Sequence, residues 1–150
     1  MTRKGKDGAM KKVFLNILKF LILTALGSAV PSVILVSVSY MDDFINTNSD
    51  RILIFIGAAD FLLLFALKKP LTRRLKISES LYFAATSVTP LLLSIIMLLV
   101  FVYSAADSSF LSKEAVTAIF FSVISVILFF NLLFVIIYKI FQLVIRSVRK

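Results

Sequence analysis

The chain has no histidine and no cysteine, and only eight of its 150 residues are acidic. Without these two side chains there is no imidazole base, no thiolate nucleophile, no zinc ligand set of the usual kind and no disulfide. The few carboxylates are scattered along the sequence, so they are not expected to converge on one substrate. We therefore expect a non-enzymatic protein that holds no metal and no cofactor.

Four long apolar runs take up more than half of the chain, at residues 20–40, 52–67, 80–103 and 115–138. A helix rises about 1.5 Å per residue and a hydrocarbon layer is about 30 Å thick, so each run is about the length of a membrane span, the second being the shortest. The longest connection, 41–51, leaves no room for a separate soluble domain. The sequence predicts an all-α integral membrane protein, a four-transmembrane-helix bundle that forms one domain over residues 1–150.

Basic residues lie almost entirely on one side of these runs. Fifteen of the 17 lysines and arginines fall in the N-terminal arm, the middle connection and the C-terminal tail, and only Arg51 and Lys113 lie in the other two connections. With Asp7 and Glu79 the first group carries a net charge of +13, whereas the two outer connections carry −3. By the positive-inside rule both termini are cytoplasmic, and the basic residues contact anionic lipid headgroups rather than nucleic acid. The first run is expected to be a retained anchor and not a cleaved signal peptide.

Helix ends are also predicted from the sequence. Lys12, Asn16 and Lys19 share a helical face, so the first helix is expected to begin near residue 10 as an amphipathic extension, and the last helix is expected to continue past Tyr138 as a second one. Pro70 is expected to end the second helix. The segment 78–80 is expected to cap the third helix and Ser112 the fourth, after two acidic, turn-forming outer connections at 41–51 and 104–113.

The middle connection contains a dense group of cations. Their simplest role is to stop transfer and set the orientation, and the alternative is a docking surface for an acidic cytoplasmic protein or for lipid headgroups. Together with two residues of the tail they form the predicted cytoplasmic basic face: Lys68, Lys69, Arg73, Arg74, Lys76, Lys139 and Arg146.

Asp60 is the residue least easily explained by structure alone. It lies near the middle of the second run, where an ionised carboxylate costs about 2.5–3.5 kcal/mol on insertion scales. Asn131 is the only other strongly polar side chain in the runs. Hydroxyl groups supplement it, among them those of Thr24, Ser28, Ser37, Thr86, Ser87, Thr89 and Ser94. Three interpretations stay open: a hydrogen-bonded tie between helices, an assembly or sensing contact, and a proton or ion pathway.

Small residues recur in three of the runs and predict close helix contacts. They include Ala25 and Ala29 at four-residue spacing in the first run, Gly57 beside Ala58 and Ala59 in the second, and Ala118 and Ser122 at four-residue spacing in the fourth. Together with a lone intramembrane acid, they predict a homo-oligomer.

The segment Thr72-Arg73-Arg74-Leu75-Lys76-Ile77, followed by Tyr82 and Thr86-Ser87-Val88, resembles the middle connection of the Rex-type phage-exclusion membrane protein. In architecture the chain is similar to the small inner-membrane proteins of bacterial defence and immunity, which include the Kiwa anti-phage membrane subunit and the immunity proteins against pore-forming colicins. These resemblances imply a multi-pass protein of the bacterial cell inner membrane.

The resemblances differ in what they imply for function. Likeness to Kiwa or Rex implies a sensor or effector that works with a cytoplasmic protein partner through Arg73, Arg74, Lys76 and the tail. Likeness to the colicin group implies a bundle that blocks pore opening through lipid-facing side chains. A small proton-coupled transporter that uses Asp60 is the alternative from another class.

Overall fold

The computed structural model describes residues 3–39, 42–105 and 113–149, and within them the regular structure is entirely helical. The helices are α1 (Arg3–Ser39), α2 (Asp42–Leu75), α3 (Glu79–Phe83), α4 (Thr89–Ala105) and α5 (Lys113–Val148). A π-helical segment, Ala84–Val88, joins α3 to α4 without a break. The described chain therefore forms four helical rods, the third of which consists of α3, the π segment and α4.

Three of the four rods are long and apolar enough to cross a membrane: Gly8–Ser37, Glu79–Ser104 and Lys113–Val148. The structure thus supports a helical membrane protein by length and composition. α2 does not reach the same standard, because every 18-residue stretch of it contains at least three charged residues. That α2 is a fourth membrane span therefore stays a prediction.

The helices extend beyond several of the predicted ends. α1 begins at Arg3 and not near residue 10, and α2 begins at Asp42, so most of the predicted outer connection 41–51 is helical. Asp and Asn favour turns only weakly, and a preference of well under 1 kcal/mol per residue is easily overridden by a long continuous helix. α5 does continue past Tyr138, to Val148, as predicted. Ser112 and most of the connection 104–113 lie outside the described residues.

The prediction that Pro70 ends the second helix is wrong, because α2 continues through it to Leu75. Proline removes a single main-chain donor, and this loss is outweighed by burial of the next turn. Leu71 and Leu75 pack against a buried cluster, and the hydroxyl of Thr72 donates to the carbonyl oxygen of Lys68 over 2.8 Å. The apolar side chains beyond the proline therefore hold the helix together.

The connection between α2 and α3 is a tight reversal at residues 76–78. Lys76 adopts a left-handed conformation with φ of 51°, and the Ile77 N–H donates to the carbonyl of Thr72 over 3.2 Å, an arrangement that closes the end of α2. Ser78 then caps α3, because its hydroxyl accepts the N–H of Leu81 over 3.2 Å. The predicted cap in segment 78–80 is confirmed.

Two apolar clusters mark the two ends of the bundle. One contains Leu23 of α1, Tyr82 and Phe83 of α3, and Val135 of α5, with the last turns of α2 packed on it. The other contains Ile52 and Ile56 of α2 with Ile127 of α5. The middle of α1 therefore lies beside the end of α2 in the first cluster, and the later part of α1 lies beside the earlier part of α2 in the second, so these two rods run antiparallel. We call the end formed by residues 68–80 and 138–149 the basic end.

Candidate functional site

A buried polar network connects α2, the π segment and α5. Asp60 and Asn131 have no exposed surface (0%), and Ser87 is 1% exposed. The Asn131 side-chain amide donates to Asp60 Oδ2, and Ser87 Oγ donates to Asn131 Oδ1 over 3.0 Å. The two polar residues singled out from the sequence are therefore in direct contact, and Ser87 completes a chain of hydrogen bonds across three rods.

One oxygen of this network has no partner among the described residues. Asp60 Oδ1 is buried and accepts no hydrogen bond there, and Thr24 Oγ1 of α1 is in the same situation. A buried polar atom without a partner costs about 1–3 kcal/mol. The network thus joins the rods while leaving part of the carboxylate unsatisfied, so the tie and the pathway interpretations both retain a structural basis.

Glycine allows the rods to approach closely on either side of the network. A Cβ atom at Gly57 would lie 2.7 Å from Phe130 Cβ and 3.1 Å from the Ile127 carbonyl oxygen, so α2 touches α5 one turn before Asp60. At Gly27 a Cβ atom would overlap the carbonyl group of Thr86 in the π segment. The close contact predicted at Gly57 is found, whereas the one at Gly27 was not anticipated.

The other predicted small-residue contacts divide between the inside and the outside of the bundle. Ala118 is buried, whereas Ala25, Ala29 and Ser122 are exposed within the single chain. The exposed three therefore lie mainly on the outer surface of the single copy.

A second polar cluster lies at the basic end, around Glu79. Its Oε1 atom accepts from Lys68 Nζ over 3.2 Å and from Lys139 Nζ over 3.0 Å. Lys68 Nζ also donates to Tyr138 Oη over 3.1 Å and lies 4.5 Å from the centroid of the Phe65 ring. We call Lys68, Glu79, Tyr138 and Lys139 the Glu79 cluster. It fastens α2, α3 and α5 together, and the side chain of Lys68 is only 16% exposed.

The predicted basic face therefore separates into two groups. Lys68 and Lys139 are engaged in the Glu79 cluster. The side chains of the others are exposed and form no ion pair or hydrogen bond within the described part of the chain: Lys69, Arg73, Arg74, Lys76 and Arg146. Four of these lie on the last two turns of α2 and the residue after it, so the structure concentrates unpaired positive charge beside the reversal at 76–78.

The ion pairs of Glu79 were not predicted from the sequence, because helix capping already explained an acidic residue at the start of a helix. A signal was present in the sequence. Glu79 is the only acid of the middle connection, and Lys68 and Lys139 border the second and fourth apolar runs at the same predicted membrane surface. A lone acid placed beside two border lysines is a candidate for a shared ion pair.

Comparisons with family models, with characterised proteins and with solved structures find no match for this chain. The class that the fold and the two polar sites define is therefore a helical bundle of membrane-spanning composition. An internal hydrogen-bond network and a basic end with exposed cations are its two distinctive features.

Proposed function

We propose that the chain is a non-enzymatic, four-span subunit of the bacterial inner membrane that acts in anti-phage defence by docking an acidic cytoplasmic partner at its basic end. The observation that carries the proposal is the separation of the cations into two groups. Lys68 and Lys139 stabilise the bundle, whereas Arg73, Arg74 and Lys76 are exposed and contribute to no described contact.

Charges without structural partners are suited to recognition. A patch of one sign attracts a partner of the opposite sign over about 8–10 Å at physiological salt, and it improves association rate and selectivity more than stability. The reversal at 76–78 supports this patch independently of the charges, because α2 is closed by the Ile77 main-chain bond and α3 by the Ser78 cap. The patch can therefore serve a partner without a cost to the fold.

The packing of α2 supports the proposal that this helix also crosses the membrane. Asp60, which makes α2 a poor span in isolation, is fully enclosed and bonded to Asn131 of α5. α2 also contacts both α1 and α5. In the bundle its carboxylate is thus shielded from lipid, as expected for an acid in a membrane-spanning helix.

The defence role rests on the resemblance of residues 72–88 to the Rex-type protein, whose matching cations are the exposed ones. It is tested by Arg73→Glu, Arg74→Glu and Lys76→Glu, one at a time, in cells challenged with phage. Each variant is expected to lose protection and to lose a co-purifying cytoplasmic protein, at unchanged membrane levels. Arg51→Glu is the matched control, because Arg51 is an exposed cation in the half of α2 away from the basic end.

Two results would contradict this proposal. Protection and partner binding by the reversal variants equal to those of the wild type would remove any role for the patch. Alternatively, substitutions at lipid-facing positions such as Leu62 or Leu99 would abolish protection while the reversals do not, and an immunity-type mechanism through lateral contacts would replace docking.

The topology is tested by cysteine labelling, since the chain has no cysteine of its own. Single cysteines at positions 45 and 110 are expected to react with a membrane-impermeant maleimide added to spheroplasts, in which the inner membrane is still intact. A cysteine at position 76 is expected to react only after the inner membrane is opened. Equal accessibility of positions 45 and 76 would show that α2 does not cross.

The unpartnered Asp60 Oδ1 favours one further function, a proton-coupled carrier. Asp60→Asn separates the two proposals, because the amide keeps the shape of the side chain but cannot exchange a proton near neutral pH. A carrier would lose proton-driven transport in this variant. A defence subunit is expected to keep phage protection.

A further inference from the structure

A polar cavity of about 340 Å³ opens at the basic end, between α3 and α5. Glu79 and Ser80 form one wall, and Lys139, Gln142, Leu143 and Arg146 of α5 form the other. The α5 residues recur at three- and four-residue spacing, so they present one face of the helix to the cavity. This cavity is separate from the patch on α2 to which the proposed partner binds.

The charges around the cavity favour an anion. Glu79 is already shared between Lys68 and Lys139, and Arg146 has no carboxylate partner within the described residues. Counting Lys68 behind the wall, three cations face one anion and leave a net charge of +2. A guanidinium without a partner is well suited to a phosphate group, which it binds through two parallel hydrogen bonds.

The surroundings of the cavity are apolar. Leu143, which lines the cavity, is 65% exposed. Leu81 and Ile140, which follow the lining residues Ser80 and Lys139 in the chain, are 41% and 55% exposed. A cavity that is polar inside and bordered by exposed leucine and isoleucine matches an amphiphile, with a charged group inside and a hydrocarbon chain along the outer surface. A soluble phosphate compound would gain nothing from these apolar side chains.

We propose that this cavity binds the phosphodiester headgroup of an anionic phospholipid, of the phosphatidylglycerol class, with Arg146 and Lys139 on the phosphate and Gln142 and Ser80 on the glycerol hydroxyls. The proposal rests on the membrane placement given above, and it does not depend on the cytoplasmic partner.

The experiment is native mass spectrometry of the full chain in detergent, titrated with phosphatidylglycerol and, separately, with phosphatidylcholine. The wild type is expected to retain one phosphatidylglycerol preferentially. Arg146→Gln is expected to weaken this binding about ten-fold or more, since it removes a charge-assisted contact. Arg149→Gln is the matched control, because Arg149 is also exposed but does not line the cavity.

Other outcomes overturn the proposal in distinct ways. Equal weakening by Arg149→Gln would show diffuse attraction to the tail. Equal binding of the two lipids, which share the phosphodiester group, would show that the cavity does not select an anionic headgroup. Displacement of the lipid by excess inorganic phosphate would make the ligand a soluble phosphate. Circular dichroism of Arg146→Gln checks that the bundle is intact. The cysteine labelling above tests the membrane placement separately, so a failure of the lipid site is distinguishable from a failure of the topology.

Discussion

Replacing Asp60 and Asn131 by leucine, singly and together, tests whether the internal network holds the rods in place. Asp60→Leu alone is not decisive. It removes the bond to Asn131, but it also removes a buried carboxylate whose Oδ1 has no described partner, and these two effects on the free energy of unfolding oppose each other. The coupling between the two substitutions isolates the contact itself.

The expected coupling free energy is about 0.6–2 kcal/mol. Interhelical hydrogen bonds in membranes average about 0.6 kcal/mol and reach about 1.7 kcal/mol. The upper part of the range applies here because a lone Asn131 amide would be left fully buried, with only Ser87 as a partner. The measurement is reversible unfolding of the four proteins in mixed detergent micelles, followed by circular dichroism.

Ser125→Ala supplies the control cycle. Its hydroxyl pairs with Ser94 of α4 over 2.9 Å, and Ser125 lies six residues before Asn131 on α5, about 9 Å along the helix. Its effect should add to that of Asp60→Leu within about 0.5 kcal/mol. A coupling between Asp60 and Asn131 no larger than that of this control would refute the view that the network ties α2 to α5.

Two further predictions compare neighbouring or chemically identical residues. Gly27→Ala is expected to lower the free energy of unfolding by about 1–3 kcal/mol, because the added methyl group overpacks against the π segment. Gly8→Ala is the control and should be neutral or slightly stabilising, because a Cβ atom there meets nothing within 4 Å. Equal effects of the two substitutions would contradict the close contact at Gly27. Lys68→Ala is expected to lower the free energy of unfolding by about 1–2 kcal/mol, because it leaves a half-buried ion pair incomplete. Lys69→Ala is the control and should change the free energy of unfolding by less than about 0.5 kcal/mol, because Lys69 is exposed. Detergent unfolding measures both pairs, and a loss at Lys69 as large as at Lys68 would show that net charge matters rather than the Glu79 cluster.

The four rods were predictable because long apolar runs dominate this sequence. The sequence marked Asp60 and Asn131 as the two strongly polar side chains of the apolar runs, but their direct contact was not predicted, because it depends on the register between α2 and α5. The ends of α2 were not predictable in the same way. Proline and turn-forming residues argue for breaks locally, but Leu71 and Leu75 beyond Pro70 have a buried surface to cover, and this depends on the rest of the fold.

The π segment had no warning in the sequence. Inserting one residue per turn needs no special side chain, and here the hydroxyl of Thr89 donates to the carbonyl of Ala84 five residues earlier, over 3.1 Å. Because the π segment shifts the helical register, a single helical period does not predict which faces of α3 and α4 lie inside the bundle. The contact of Gly27 with Thr86 was missed for the same reason.

The bond between Asp60 and Asn131 also imposes an order on the biogenesis of the protein. The two residues are 71 positions apart, and at about 5–20 residues per second the ribosome supplies Asn131 on the order of 4–14 s after Asp60. During this interval Asp60 of α2, the helix that we propose as an additional membrane span, has no partner from α5. A chain truncated at position 112 should therefore expose a cysteine at position 76 to labelling from outside, whereas the full chain shields it. Equal shielding in the two chains would show that α2 inserts without α5.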